Sequence, residues 1–271
     1  MPSFGIESNP PPVPKARLRQ LVRLGSRRFR RKESLFVAEG VRLVEEALAC
    51  RIEIAWAVCT AKPDERSLAL VNRLAEGGVE VYQATHRDLE RTLDVAAPQA
   101  VAAVCRIPER SLEDLRPAQK SLVAVCDGVG EPGNLGSVIR VAAASGCAAV
   151  LLAPATVDPY NPRCVRGAMG ALFRIPVVEV ETAEKLTGFL QRLDYAVFCA
   201  DSGGENVFLR EKFPARSALV LGSEARGLSA FTSALAPRRL AIPMALGVES
   251  LNVAVAAGTL LYRMAERQEA G

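Results

Sequence analysis

Asp127-Gly128-Val129-Gly130-Glu131-Pro132-Gly133-Asn134-Leu135-Gly136 follows directly on the apolar run Leu122–Cys126 and leads into the small apolar stretch Val138–Ala144. A short apolar run, a glycine turn and then a helix-forming segment read as the opening of a βαβ unit. Gly128, Gly130 and Gly133 spell GxGxxG, the dinucleotide fingerprint. That fingerprint also requires an acid at the end of the next strand to hold a ribose. Here Val150–Leu152 runs into Ala153-Pro154, and Asp158 arrives only after a further loop. Pro132 also stiffens a turn whose N–H groups would have to face a pyrophosphate. The glycines mark a tight strand-to-helix turn and leave the ligand open. A NAD-type oxidoreductase stays as a minor alternative; it also lacks a suitable His or Tyr–Lys pair.

Reading outward, Val150–Leu152, Val177–Val180, Ala196–Cys199, Leu219–Leu221 and Leu240–Ile242 are predicted strands. Helices are predicted from about Leu135 to Ser145, over Ala183–Arg192 and from about Ser250 to Gln268. Such alternation implies a parallel sheet covered on both faces. Upstream, Leu35–Ala38, Ile54–Val58, Val79–Tyr82 and Val101–Ile107 make a smaller sheet, with helices over Val41–Cys50 and Ser67–Glu76. The organisation expected is therefore a basic, partly disordered arm over 1–32, with a proline-rich leader to Pro14. A small α/β domain follows over 33–107, then a linker over 108–118 and a second α/β domain over 119–271.

Composition narrows the function. Aromatics are 5% of the 271 residues and apolar residues 49%, so Leu, Val and Ala must fill the cores. No stretch reaches the roughly 18 uninterrupted apolar residues of a membrane span, and Pro10, Pro11, Pro12 and Pro14 interrupt any signal or transit helix. The seven cysteines are scattered without a CxxC pair and His86 is the only histidine, which argues for reduced thiols, a cytoplasmic setting and no metal site. Between Lys15 and Lys32 lie nine Lys and Arg and no acid. They exceed the whole-chain surplus of +4, leaving the remainder at −5. One basic end on a mildly acidic body points to a polyanionic partner.

Three clusters carry candidate chemistry. Asn134 sits near the start of the first helix, and Arg140 lies nearly two turns further along among small apolar neighbours. A guanidinium there needs a ligand or partner unless it reaches solvent. Leu221-Gly222-Ser223-Glu224-Ala225-Arg226-Gly227 follows a strand, at the carboxyl edge where open α/β sheets bind small molecules. Ile242-Pro243-Met244 precedes Gly247-Val248-Glu249-Ser250-Leu251-Asn252. Ser250 is a candidate cap of the last helix, and Asn252, expected inside that helix, has low helix propensity.

Together these clusters resemble the TrmH, or SpoU, branch of the SPOUT methyltransferases, over roughly residues 120–268. The matching pieces are Pro132-Gly133-Asn134-Leu135-Gly136 with Arg140, Leu221-Gly222-Ser223-Glu224 with Gly227, and Ile242-Pro243-Met244 with Ser250-Leu251-Asn252. Asp158–Pro162 and Phe173-Arg174-Ile175-Pro176 fit the middle region, while Ala225 stands where glycine is frequent. The front half, notably Phe36–Ala47, looks like the L30e-like RNA-binding domain that often precedes this fold.

The resemblance implies a C-terminal α/β SPOUT domain with a trefoil knot behind an N-terminal L30e-like α/β domain. It implies an S-adenosyl-L-methionine-dependent RNA 2′-O-ribose methyltransferase, acting on ribosomal RNA first and transfer RNA second. The cofactor is expected against the backbone at Gly222, Ile242, Met244 and Leu251. Arg140 is the activating residue, supported by Asn134, Glu224, Ser250 and Asn252. Free arginine has a pKa above about 12, so a guanidinium clamp on the oxyanion is chemically easier than a base. A homodimer through the C-terminal domain is expected, using the apolar last helix with Val253, Val255, Leu260 and Leu261. The alternative from a different class is a non-catalytic RNA-binding or assembly protein.

Overall fold

The computed structural model describes residues 10–93, 99–210, 212–223, 227–229, 232, 235 and 238–268. The chain divides into two units. The first takes the described residues up to Pro108 together with Tyr160–Arg166. The second takes Glu109–Pro159 and the described residues from Gly167 onward.

In the first unit, α1 (Lys15–Leu24) and α2 (Arg27–Glu33) precede β1 (Leu35–Glu39), α3 (Val41–Ala49), β2 (Ile54–Thr60), α4 (Glu65–Glu76), β3 (Val81–Ala84), α5 (His86–Leu93) and β4 (Val101–Arg106). The sheet order is β1-β4-β2-β3. β4 is antiparallel to both neighbours, and β2 pairs with β3 in parallel. Asp64 starts α4 by accepting a hydrogen bond from the Ser67 N–H, the usual work of an N-cap carboxylate. From Lys15 on the expected arm is helical and packed, while its residues 1–9 lie outside the described residues. Leu21 and Leu24 of α1 pack in the same core as Trp56, Val58 and Val104, and the Trp56 indole N–H donates to Gln20 Oε1 at 3.0 Å. The reason lies in the spacing: Leu18, Leu21 and Leu24 give the basic segment an apolar stripe that charge counting overlooks, while Val22 stays exposed.

In the second unit the order is β5 (Ser121–Cys126), α6 (Pro132–Ala144), β6 (Ala149–Leu152), α7 (Pro162–Ala168, which begins in the first unit), α8 (Ala171–Arg174), β7 (Val177–Glu179), α9 (Ala183–Arg192), β8 (Ala196–Asn206), β9 (Arg216–Leu221), β10 (Arg238–Ala241) and, last, α10 (Val253–Arg267). The sheet runs β10-β8-β9-β5-β6-β7, parallel throughout. Every residue of β5 is buried, as expected of a central parallel strand with both faces covered. The expected linker is also part of this unit. A 3-10 turn at Leu112–Asp114, closed by reciprocal Ser111 and Asp114 bonds, puts Leu112 into the second core with Leu115 against it. Proline flanks signalled a break in regular structure, but two leucines in the stretch anchor it.

After α10 the chain returns beside the starts of β5 and β9: Gln268 Nε2 donates to the Ser121 and Ala215 carbonyls. The path expected to thread a knot passes through 224–226 and 230–237, part of which lies outside the described residues.

Candidate active site

The site forms where β8, β9 and β10 end. β9 delivers Gly222, after which Ser223 and Gly227 exchange two backbone hydrogen bonds and close a tight loop. A Cβ on Gly222 would lie 2.6 Å from the Gly227 carbonyl carbon and 2.9 Å from the Leu228 nitrogen. Only a hydrogen fits, so the residue type follows from packing. Asp127, at the end of β5, holds the next part of the loop. Its carboxylate accepts from the Ser229 N–H at 2.6 Å and from the Thr232 hydroxyl. The acid that opens the GxGxxG stretch is thus a loop anchor.

β10 pairs with β8 in two registers, Arg238–Arg239 against Phe198–Cys199 and Leu240–Ala241 against Glu205–Asn206. The intervening β8 residues bulge away from the ladder. At Gly204 a Cβ would meet the Arg239 carbonyl carbon at 2.5 Å, so glycine permits the close strand approach. The bulge carries Ala200, Asp201 and Ser202 into the wall of a cavity of about 690 Å³. That volume lies within the range of small-molecule and cofactor sites.

Gly222, Ile242, Met244, Ser250, Leu251 and Asn252 all line this cavity. Asn252 is not inside the last helix as the sequence indicated: it is the N-cap of α10, its side-chain oxygen accepting from the Ala254 N–H at 2.9 Å. The capping role considered for Ser250 therefore belongs to Asn252, which explains the low-propensity residue without invoking function. Its amide group does a second thing: Nδ2 donates to Asn134 Oδ1 at 2.9 Å. Two clusters 118 residues apart in sequence thereby meet through one side-chain bond at the edge of the site.

Asn134 itself lies in the first turn of α6, where its N–H donates to the Glu131 carboxylate at 2.6 Å. Glu131 is the N-cap and Pro132 the first helical residue. A carboxylate already fills the anion-accepting end of this helix, so a pyrophosphate there would meet like charge. This geometry argues against the dinucleotide reading.

Arg140 is not brought to the cavity. It is exposed on α6 and absent from the cavity lining, so solvent satisfies the guanidinium that the apolar neighbours left in question. Glu224 lies outside the described residues, as does Ala225. The sequence reading missed Asp201 and Arg239, which form an ion pair of 2.6 Å in the cavity wall, and Glu249 in the final loop. The signal for Asp201 was present: Asp201-Ser202-Gly203-Gly204 follows the apolar Ala196–Cys199 at a carboxyl edge.

The last helix also differs from expectation. Leu260 and Leu261 are 1% and 0% exposed and Val253 is buried, so all three belong to the protomer's own core. Val255 and Tyr262 are the residues facing out, at 55% and 54%. They lie three residues before and four after Gly258, where a Cβ would sit 3.7 Å from Val141 of α6. The exposed stripe therefore runs beside the neighbour of Arg140. The cysteines are unpaired, and burial pushes the Cys105 and Cys126 thiols up to about 12. Among the described residues no helix is long and apolar enough to cross a membrane.

A parallel α/β unit with a small-molecule cavity at its carboxyl edge, preceded in the sequence by a smaller mixed-sheet unit, defines the class. The model of the SpoU rRNA methylase family matches residues 121–262 and that of the MRM3-like substrate-binding domain matches 15–103. The chain belongs to the SpoU rRNA methylase family. It is 33% identical over 248 residues to the 23S rRNA (guanosine(2553)-2′-O)-methyltransferase RlmP of Bacillus subtilis, covering 89% of this chain and 93% of that protein. Among solved structures, the SpoU methyltransferase AviRb of Streptomyces viridochromogenes in complex with AdoMet is 27% identical with a TM-score of 0.82, covering 93% of this chain and 98% of that one. An AdoMet-bound rRNA methyltransferase from Sinorhizobium meliloti is 26% identical with a TM-score of 0.83, covering 93% and 95%.

Proposed function

We propose that this chain transfers a methyl group from S-adenosyl-L-methionine to a ribose 2′-hydroxyl of RNA, with ribosomal RNA the first candidate and transfer RNA the second. The observation that carries the reading is the cavity itself. It gathers Gly222, Ile242, Met244 and Leu251, with Asn252 on its wall bonded to Asn134. The donor set suits the cofactor: Leu228, Ile242 and Leu251 offer apolar surface for adenine, and Asp201, Ser202 and Ser250 offer polar groups. When bound, S-adenosylmethionine supplies an electrophilic sulfonium methyl.

The chain's own residues must handle a nucleophile that is a poor acid, so its developing negative charge needs a partner. Arg140 is our candidate clamp for the oxyanion and the adjacent phosphate. Exposed on α6, it can meet RNA arriving from solution. Glu224 would orient it, and Ser250 would contact the substrate side of the cavity. Asn134 and Asn252 hold the starts of α6 and α10 in fixed relation. We place the homodimer contact on the stripe of Val255 and Tyr262, beside α6, and the protein in the cytoplasm, where its unpaired thiols stay reduced.

The test is methyl incorporation from tritiated S-adenosylmethionine into RNA from cells lacking the protein, with the product mapped by reverse-transcription stops at ribose-methylated positions. Incorporation confined to a ribose of ribosomal RNA is expected. RNA binding without methyl transfer to ribosomal or transfer RNA would favour a non-catalytic assembly protein.

A further inference from the structure

The basic segment is folded, and folding sorts its charges. Arg30 is turned inward, 2% exposed, and its guanidinium donates to the Leu24 and Gly25 carbonyls at 2.7 and 2.9 Å. It satisfies the open end of α1 and sets α2 against it. Arg17 pairs with Glu80 at 3.0 Å and lies over the Trp56 ring. These two arginines serve the fold. Lys15, Arg19, Arg23 and Arg28 remain exposed. The first three recur every fourth residue of α1, in steps of about 6 Å along one face, comparable with the separation of successive phosphates in a single strand.

Between the two helices lies a cleft of about 580 Å³ whose lining includes Arg19, Arg23 and Phe29, with Glu33 as the acid among its lining residues. The Arg23 guanidinium carbon sits 4.0 Å from the centre of the Phe29 ring, and Phe29 packs against the core of the first unit. The anchored ring holds the cation from one side by cation–π attraction, and Arg23 stays exposed to solvent on the other.

We infer that the α1–α2 cleft is a binding site for single-stranded RNA, in which an unstacked base lies on the Arg23 plane and the flanking phosphates meet Lys15, Arg19 and Arg28. The inference rests on RNA being the substrate and adds where and in what form the RNA is held. Stacking on a guanidinium requires a base free of its helix, so the site discriminates single strands and loops from duplex.

The test uses full-length protein and fluorescein-labelled oligonucleotides, a single strand and a duplex of equal length, titrated by anisotropy at several salt concentrations. Replacing Lys15, Arg19 and Arg28 together by Gln should reduce the slope of log affinity against log salt by about 2, from roughly 0.7 per phosphate contact on a single strand. Arg23→Lys keeps the charge and removes the plane. It should leave the slope unchanged, weaken single-strand binding about tenfold and barely alter duplex binding. An unchanged slope in the triple variant overturns the phosphate contacts. Equal weakening of strand and duplex by Arg23→Lys overturns the stacking site. Cofactor affinity, measured by calorimetry, should equal wild type in both variants. Loss of methyl transfer chemistry in the wild type would instead sink the enzymatic reading while leaving these titrations interpretable.

Discussion

Gly222→Ala is the sharpest test of the cavity. The added methyl would sit 2.6 Å from the Gly227 carbonyl carbon and 2.7 Å from its oxygen, whereas carbon atoms rest at about 3.5 Å or more. Both sides of the contact are backbone, so no side chain can swing aside, and the 222–228 loop must move by roughly 0.9 Å. Overpacking of this kind costs about 1–3 kcal/mol, or roughly 2–10 °C in Tm for a chain of this size. The displaced loop is also a cavity wall, so S-adenosylmethionine affinity should fall between about fivefold and a hundredfold. Gly188→Ala is the control. It lies inside α9 with nothing within 4 Å of the new methyl, and should stabilise the protein by about 0.5–1 kcal/mol with cofactor binding untouched. Calorimetric titration and a thermal melt of the three proteins read both effects. A Gly222→Ala protein that binds the cofactor like wild type and melts at the same temperature would refute the argument from packing.

Asn252→Asp keeps the oxygen that caps α10 and loses the amide donor to Asn134, whereas Asn252→Ala loses both. The alanine variant should lose about 1 kcal/mol of stability and the aspartate variant little, while methyl transfer falls in both; activity retained in the aspartate variant would remove the Asn134 bond from the mechanism. Val255→Glu with Tyr262→Glu should give a folded monomer by sedimentation, while Leu260→Asp should unfold the second unit; a dimer surviving the first pair would move the interface elsewhere. Arg30→Ala strips two carbonyls at the end of α1 of their donor in a buried setting and should destabilise the first unit by about 1–3 kcal/mol; a melt within 1 °C of wild type would show that water replaces it. The Ser67 hydrogen bonds hold the Asp64 carboxyl below its usual range. Its contribution is therefore complete above the ordinary aspartate value of about 3.9 and lost as pH falls through the lowered one. Asp64→Asn, still a cap, should show a flatter fall of Tm between about pH 4 and 2, and identical slopes would refute the assignment.

The amino-acid sequence by itself determined the parallel sheet, because a strand buried on both faces needs the unbroken apolar runs seen at Leu122–Cys126 and Val150–Leu152. That Gly222, Ile242, Met244 and Leu251 belong to one site was legible only through the resemblance to the SpoU branch, and in the structure all four line the same cavity. The sequence did not determine the fate of the basic segment. Charge reads as exposure, yet three leucines at helical spacing, Leu18, Leu21 and Leu24, suffice to fold Lys15–Glu33 onto Trp56 and turn Arg30 inward. The register change between β8 and β10, which pushes Asp201 into the cavity wall beside Arg239, follows from a strand pairing between residues some forty apart; no local pattern encodes it. The same holds for the bond from Asn252 to Asn134, and for the last helix, whose leucines face inward while Val255 and Tyr262 face out. Periodicity gives a helix its stripe, but only the neighbours it packs against decide which side of that stripe is covered, because burial is a property of the assembled surface and not of the segment.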